Sequence, residues 1–499
     1  MLQGYQSVII LLTHLLYSLF FLHEAYIYTL CKVYSMKKIF ITLLILQISS
    51  AFVHAQGWNE LGAGTNALKA TNSISSIFAD KSGNVYAAGS FVDGNSKEYV
   101  AMWNGVSWSE LGTGANALNL VNSIIVIAMD SSANIYAGGN FVDGSNSYYI
   151  SKWNGTSWSE LGTGTNALKA NDAIWSIITD KFGNIYAAGE FIDGNSYSYV
   201  AKWNGTNWSE LGTGSNALNG NNLIKSIAQD ASDNIYAGGQ FTNTNDKEYV
   251  AKWNGTNWSE LGTGSNALNA NNVIQSVIVD KSGNVYAAGG FTNENGKQYV
   301  AQWNGTSWNE LGSGVNGLNA NGWINQISMD ASGNIYAAGG FTDLVGKEYV
   351  AKWNGTSWGE LGFNSNALNA NNTINSIYID ANNNLYAAGT FKDANNFQYV
   401  ATCNIVSTNT INTAVTNPIE SKSINIYPNP GSNLVQANFP ENGQLTVFTI
   451  TGIPVYNQTI TTSSSTSVID LSNLATGLYT IVFSSGQNTN YAPLKWIKQ

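Results

Sequence analysis

From Trp58 onward, apolar and polar positions recur with a period of 50 residues and no slippage. Trp58, Trp108, Trp158, Trp208, Trp258, Trp308 and Trp358 open seven copies. Within each copy, short runs of β-branched and aromatic residues alternate with clusters of Gly, Asn, Asp and Ser. In the third copy the runs are Trp158–Leu161, Ile174–Thr179, Asn184–Phe191 and Tyr199–Trp203. They predict four short strands, and none is long enough for a helix with a buried stripe. Asp180-Lys-Phe-Gly-Asn184 suits a tight turn, with the aspartate capping backbone N–H groups and Gly183 in the left-handed region. Asn154-Gly155 and its equivalents predict a type I′ hairpin with positive φ at both central residues.

Four antiparallel strands per 50 residues, seven times over, predict an all-β fold: a seven-bladed β-propeller over residues 58–403. The copies start out of phase with the blades. The seventh copy has Cys403-Asn404-Ile405-Val406 where another Trp-Ser-Glu-Leu strand would follow, while Trp58–Leu61 is a spare strand at the other end. Pairing the two closes the ring and removes a free sheet edge. Trp-x-Glu-Leu is then the outermost strand and Ile-x-x-Ile the innermost. The short turns Asp80–Asn84 and Asn104–Ser107 share one face, and the longer loops Gly62–Ser73 and Val92–Glu98 share the other.

The copies differ most in those longer loops, where binding specificity would lie, although drift in solvated loops gives the same pattern. At the junction of loop and inner strand, Trp175 stands where other copies have Ser75, Ile125, Lys225, Gln275, Asn325 and Asn375, and Trp323 where they have Ser73, Ser123, Ala173, Leu223, Val273 and Thr373; Tyr148, Tyr197 and Phe397 are extra aromatics in the second loop. With Asn171, Asn221 and Asn271 nearby, these aromatics form a candidate sugar-stacking surface; the alternative is local packing. The polar position Ser90, Asn140, Glu190, Gln240, Gly290, Gly340 and Thr390 does not repeat, so Glu190 and Gln240 join the candidates. Glu190 is the one carboxylate of that set, and paired-acid glycoside chemistry needs a second. Glu60 and Asp80 recur sevenfold, which fits scaffold better than a catalytic pair. Asp-x-x-Gly-Asn lacks the alternating oxygens of an EF-hand. Asn154-Gly155-Thr156 matches a glycosylation sequon that turn chemistry already explains.

Composition narrows the chemistry. The 21 basic residues are all lysine, and the histidines are confined to His14, His23 and His54. Imidazole relays, histidine-held zinc, copper or heme, and arginine forks on phosphate are therefore absent from the main body. No metal, cofactor or catalytic residue is assigned. The net charge of −10 argues against a nucleic-acid partner.

Residues 36–55 read as a secretory signal peptide, with Lys37 and Lys38, an apolar stretch Ile39–Ile48, and cleavage after Ala55. Residues 1–35 fit an over-long gene start; the alternative of a membrane anchor needs a longer apolar run than Val8–Leu22. No stable transmembrane segment is expected in the mature protein.

All six prolines fall after the propeller. Residues 404–423 are Asn/Thr/Ser-rich and read as linker. From residue 424, alternating runs such as Leu445–Ile450 and Leu478–Phe483 predict a small immunoglobulin-like β-sandwich. Four features stand out here: Ile426-Tyr427-Pro428-Asn429-Pro430, Thr451-Gly452, Asp470–Tyr479 with Gly477, and Lys495-Trp-Ile-Lys498-Gln499. Residues 424–499 thereby resemble the type A sorting domain of type IX secretion cargo. The resemblance implies a Bacteroidetes-type bacterium, Sec export, passage through the outer membrane by the type IX secretion machinery, and a secreted or cell-surface product. It assigns Lys495 and Lys498 to a basic tail. The blade pattern is similar to kelch-like repeats without their regular double glycine. Three functions stay open: a non-enzymatic binder of a glycan or surface protein through the long-loop face, a polysaccharide-active enzyme using Glu190, and a structural envelope component.

Overall fold

The computed structural model describes residues 57–405, apart from 63, 344 and 363–365, and then 426–427, 433–437, 439, 442–449, 454–461, 467–485 and 494–498. The segment read as a signal peptide with cleavage after Ala55, the extension before it, and Pro428, Asn429, Pro430 and Gly452 lie outside the described residues. Two compact units divide between residues 406 and 407.

The first unit is a seven-bladed β-propeller. Each blade is a four-stranded antiparallel sheet in sequential order. In blade 3 the strands are Ile174–Thr179, Ile185–Gly189, Ala201–Trp203 and Trp208–Glu210, from the innermost outward. Blade 7 takes Ile374–Ile379, Asn384–Gly389 and Ala401–Asn404, and its fourth strand is Asn59–Glu60. Asn59 pairs with Thr402 and Glu60 with Ala401, so the spare strand closes the ring. The innermost strand of blade 1 also packs against that of blade 7.

Hydrophobic layers fill the gaps between blades. Ile224, Ile227, Ile235 and Phe241 of blade 4 pack against Tyr186, Ala188 and Val200 of blade 3. The same layer joins Tyr386, Ala388 and Val400 to Ile74 and Ile77 across the closing seam. Polar bonds reinforce every seam at the rim. The indole N–H of each outermost tryptophan donates to the leucine carbonyl of the preceding blade, as in Trp258 to Leu211 at 2.7 Å. The closing bond, Trp58 to Leu361, is longer at 3.2 Å. Near the axis, a serine hydroxyl accepts the backbone N–H of the next blade, as Ser176 does from Ile227 at 3.1 Å. Gln326 takes this role toward Ile377, whereas Val126 has no oxygen to offer at the seam of blades 2 and 3.

The Asp180 turn forms as predicted. Its carboxylate accepts the N–H groups of Phe182 and Asn184, and Gly183 has φ +84°. The Asn-Gly turns differ from the predicted type I′ form. Trp153 pairs with Trp158, which leaves a four-residue loop, and only Gly155 has positive φ. Asn154 instead turns its side-chain oxygen onto the N–H groups of Thr156 and Ser157, a side-chain mimic of a backbone turn. One-turn 3-10 helices such as Gly164–Asn166, in the long loops, had no counterpart in the strand pattern.

The second unit holds two sheets, one of Ile426–Tyr427, Leu434–Ala437 and Ser467–Asp470, the other of Gly443–Thr449, Pro454–Ile460, Gly477–Ser485 and Leu494–Lys498. Val435 and Ile469 of the first pack on Leu445, Ile481 and Trp496 of the second, which makes a β-sandwich.

Candidate functional site

The seven innermost strands surround a cavity of about 1070 Å³ on the propeller axis. Each strand carries a β-bulge, where the register slips between residues equivalent to Ile174 and Ser176. A bulge bends the strand and re-aims the extra side chain. That extra residue is Ser75, Ile125, Trp175, Lys225, Gln275, Asn325 and Asn375 in turn, and all seven line the cavity. The glycine ending the second strand permits the bulge: a Cβ on Gly189 would collide with the Ala173 carbonyl.

Sevenfold identity breaks at blades 3 and 4. The Trp175 indole N–H donates to Glu190 Oε1 at 2.9 Å, and Lys225 Nζ stands 2.9 Å from the centroid of the Trp175 ring. Burial pulls the Lys225 ammonium down to about 8, against the attraction of Glu190. Among the described residues, Lys225 makes no ion pair or hydrogen bond. One face of Trp175 is therefore covered by a cation. Asp172, Asn140 and Gln275 line the same cavity. The sequence did contain a signal for this grouping: equivalent positions of adjacent blades must be spatial neighbours, which puts Lys225 beside Trp175.

The other candidates lie elsewhere. Trp323 is 44% exposed on the long-loop side, and its ring leans from blade 6 over blade 5. A Cβ on Gly290 would stand 3.1 Å from Trp323 Cε2, and one on Gly322 would collide with the Gly340 carbonyl. Three glycines thus replace larger residues around this tryptophan. Tyr197 is 41% exposed, and Phe397 is half-buried. Tyr148 packs against the core layer of blades 2 and 3. Gln240 is half-buried and does not line the cavity. Asn171 and Asn221 pin the loops to one another: Asn171 bonds the Ile192 backbone at 2.9 and 3.2 Å, and Asn221 bonds Thr242 at 2.8 and 3.0 Å. Asn271 does the same with Thr292.

The repeated acids behave as scaffold. Glu360 is pushed up to about 6 by burial and by Asp343 beside it. In blades 4 and 5 an asparagine replaces that aspartate, and Asn243 donates to Glu260 at 3.1 Å. Among the described residues, no three metal-ligating side chains come together, and no helix is long and apolar enough to cross a membrane.

In the second unit, Tyr479 is buried and its hydroxyl donates to the Ala475 carbonyl at 2.7 Å. Lys498 departs from the expected basic tail. It is 6% exposed, and its ammonium donates to the carbonyls of Leu471, Ser472 and Leu474 at 2.8, 2.9 and 2.6 Å. Tyr427, Gly477 and Lys495 lie in strands, Gly477 at the start of one.

No curated protein matches the sequence. Among solved structures, PorZ of Porphyromonas gingivalis, titled an essential bacterial surface component of the type IX secretion system, is similar at 14% identity with a TM-score of 0.47. The match covers 86% of this chain and 59% of that one, so the chain spans about three fifths of PorZ. A lectin of Aleuria aurantia in complex with a fucosylated ligand is similar at 15% identity, TM-score 0.37, covering 59% of this chain and 96% of that one. A polysaccharide lyase, an ulvan lyase, is similar at 12% identity, TM-score 0.39, covering 70% and 94%. Residues 425–499 match the family described as secretion system C-terminal sorting domain. The chain is therefore a β-propeller cargo of type IX secretion, bearing that sorting domain and directed to the cell surface or the extracellular space.

Proposed function

We propose that the exported propeller is a non-enzymatic binding protein that takes a glycan on its long-loop face, with Trp323 as the stacking platform. The observation that carries this reading is the exposed Trp323 ring, set among Gly290, Gly322 and Gly340 where other copies have larger side chains. A sugar ring stacks on an open aromatic face while its hydroxyls bond nearby polar groups. Trp175 does not serve in this way, because Lys225 covers one face.

The test is a glycan array with the secreted protein, followed by Trp323→Ser. Serine occupies this position in blades 1 and 2, so the fold accommodates it. Array binding should fall about tenfold or more, a stacking contact being worth roughly 0.5–1.5 kcal/mol beyond its buried area. Unchanged binding refutes the platform. Release of new reducing ends, abolished by Glu190→Gln, would replace this reading with the hydrolase one; Asp172 lines the same cavity as Glu190. Capture of a surface protein with an empty array would favour the protein ligand, and neither binding nor turnover would favour an envelope structural role.

A further inference from the structure

Lys225 is a half-buried ammonium with no carboxylate within ion-pair distance and no hydrogen bond among the described residues. Its one close contact is the face of Trp175, which offers no hydrogen-bond acceptor, so an anion entering the cavity would relieve the remaining cost of withdrawing the charge from water. The side-chain amides of Asn140 and Gln275, which line the same cavity from blades 2 and 5, also make no hydrogen bond among the described residues. Glu190 has one oxygen bound by Trp175 and a second that accepts nothing. Ile125 and Val126 supply an apolar wall beside Trp175. A bare anion satisfies only part of this set, since it offers no hydrogen to Glu190 and no apolar surface to blade 2.

We propose that the mouth of the axial cavity at blades 2–5 is a subsite for a uronic acid, its carboxylate paired with Lys225 and Gln275 and its hydroxyls bonded to Glu190 and Asn140. This rests on the glycan reading above and adds the charged class of sugar. The repeated carboxylates of Glu60 and its equivalents stand on the outermost strands. Three strand spacings, about 14 Å, separate them from the innermost strands, beyond the screening length of roughly 8 Å at physiological salt. The titratable groups lining the cavity with Lys225 are Glu190, Asp172 and Tyr378. Lys225 titrates near 8, so affinity for a uronate holds at pH 6–7 and falls as pH rises through 8.

The experiment measures D-galacturonate and D-glucuronate against D-galactose and D-glucose by calorimetry on the full secreted chain. Lys225→Gln is the variant, because glutamine already fills this bulge in blade 5. The expected result is uronate binding at least tenfold tighter than the neutral sugars, weakened about tenfold to hundredfold by Lys225→Gln and unaffected by Trp323→Ser. Equal binding of neutral and acidic sugars, equal displacement by inorganic sulfate, or an unchanged affinity in Lys225→Gln overturns the proposal. If array glycans still bind through Trp323 while uronates fail, this inference alone falls. If no saccharide binds at all, the glycan reading falls with it.

Discussion

The propeller and the sorting domain solve the same problem, holding sheets together, in opposite ways. The propeller repeats one modest device at every seam: an indole N–H on the carbonyl of the preceding blade, at 2.7–3.2 Å. Among the described residues, the sorting domain gathers three carbonyls of the loop after Asp470 on one ammonium, Lys498, with the Tyr479 hydroxyl on a fourth, that of Ala475. Repetition makes each contact dispensable in proportion to its share. Concentration makes one residue decisive.

Lys498→Met should therefore have the largest effect. Three charge-assisted bonds are lost, and the Ser472 and Leu474 carbonyls lose this donor while Leu471 keeps the Leu474 N–H, a cost of roughly 3 kcal/mol or more against a typical domain stability of about 5–15 kcal/mol. Hydrogen exchange on the full chain should show protection lost over residues 443–449 and 477–485 with the blades unchanged. Retained protection there would break the comparison from the sorting-domain side.

Trp258→Phe tests the other side. It keeps an aromatic six-membered ring but removes the buried N–H donor and part of the buried ring, which costs about 1–3 kcal/mol for the bond plus the lost packing, read as a lower urea midpoint for the propeller. Trp58→Phe should cost less, because its bond is longer and its ring half-buried. Equal losses would mean that the closing seam is fastened as firmly as the others.

The smallest effect is expected from Asp343→Asn. The Glu360 carboxyl is raised in the folded protein to about 6, so folding favours its protonated form. Its contribution weakens as pH rises from the ordinary carboxyl range through 6. Asparagine removes the repulsion and supplies the donor that Asn243 gives Glu260. The variant should be more stable than the parent at pH 7 and indistinguishable at pH 4 by thermal melting. A gain of the same size at both values contradicts this account.

The ring itself was legible because a strict period forces each strand to recur, and a surplus strand at one end answers a missing one at the other. The Asn154 turn was misread because Asn-Gly suits a two-residue hairpin, yet the Trp153–Trp158 pair sets a longer loop. At the site, departures from the repeat located Trp175, Glu190 and Trp323. Their accessibility was hidden, because it depends on which neighbour leans where: Lys225 covers one ring, and Gly290 makes room for the other. Lys498 gave no sign of burial, since one lysine beside a terminal strand looks the same clipped or solvated.

The closing strand has a kinetic consequence. Blades form from residues close in sequence, but the bond from Trp58 to Leu361 joins groups 303 positions apart. Bringing such ends together costs about 5 kcal/mol of chain entropy, and contacts this remote slow folding. The last seam is therefore the slow step. Until it forms, blade 7 exposes an unpaired edge open to another chain. Both ends of that bond must be present before the ring can lock, so assembly of the propeller waits on nearly its whole length.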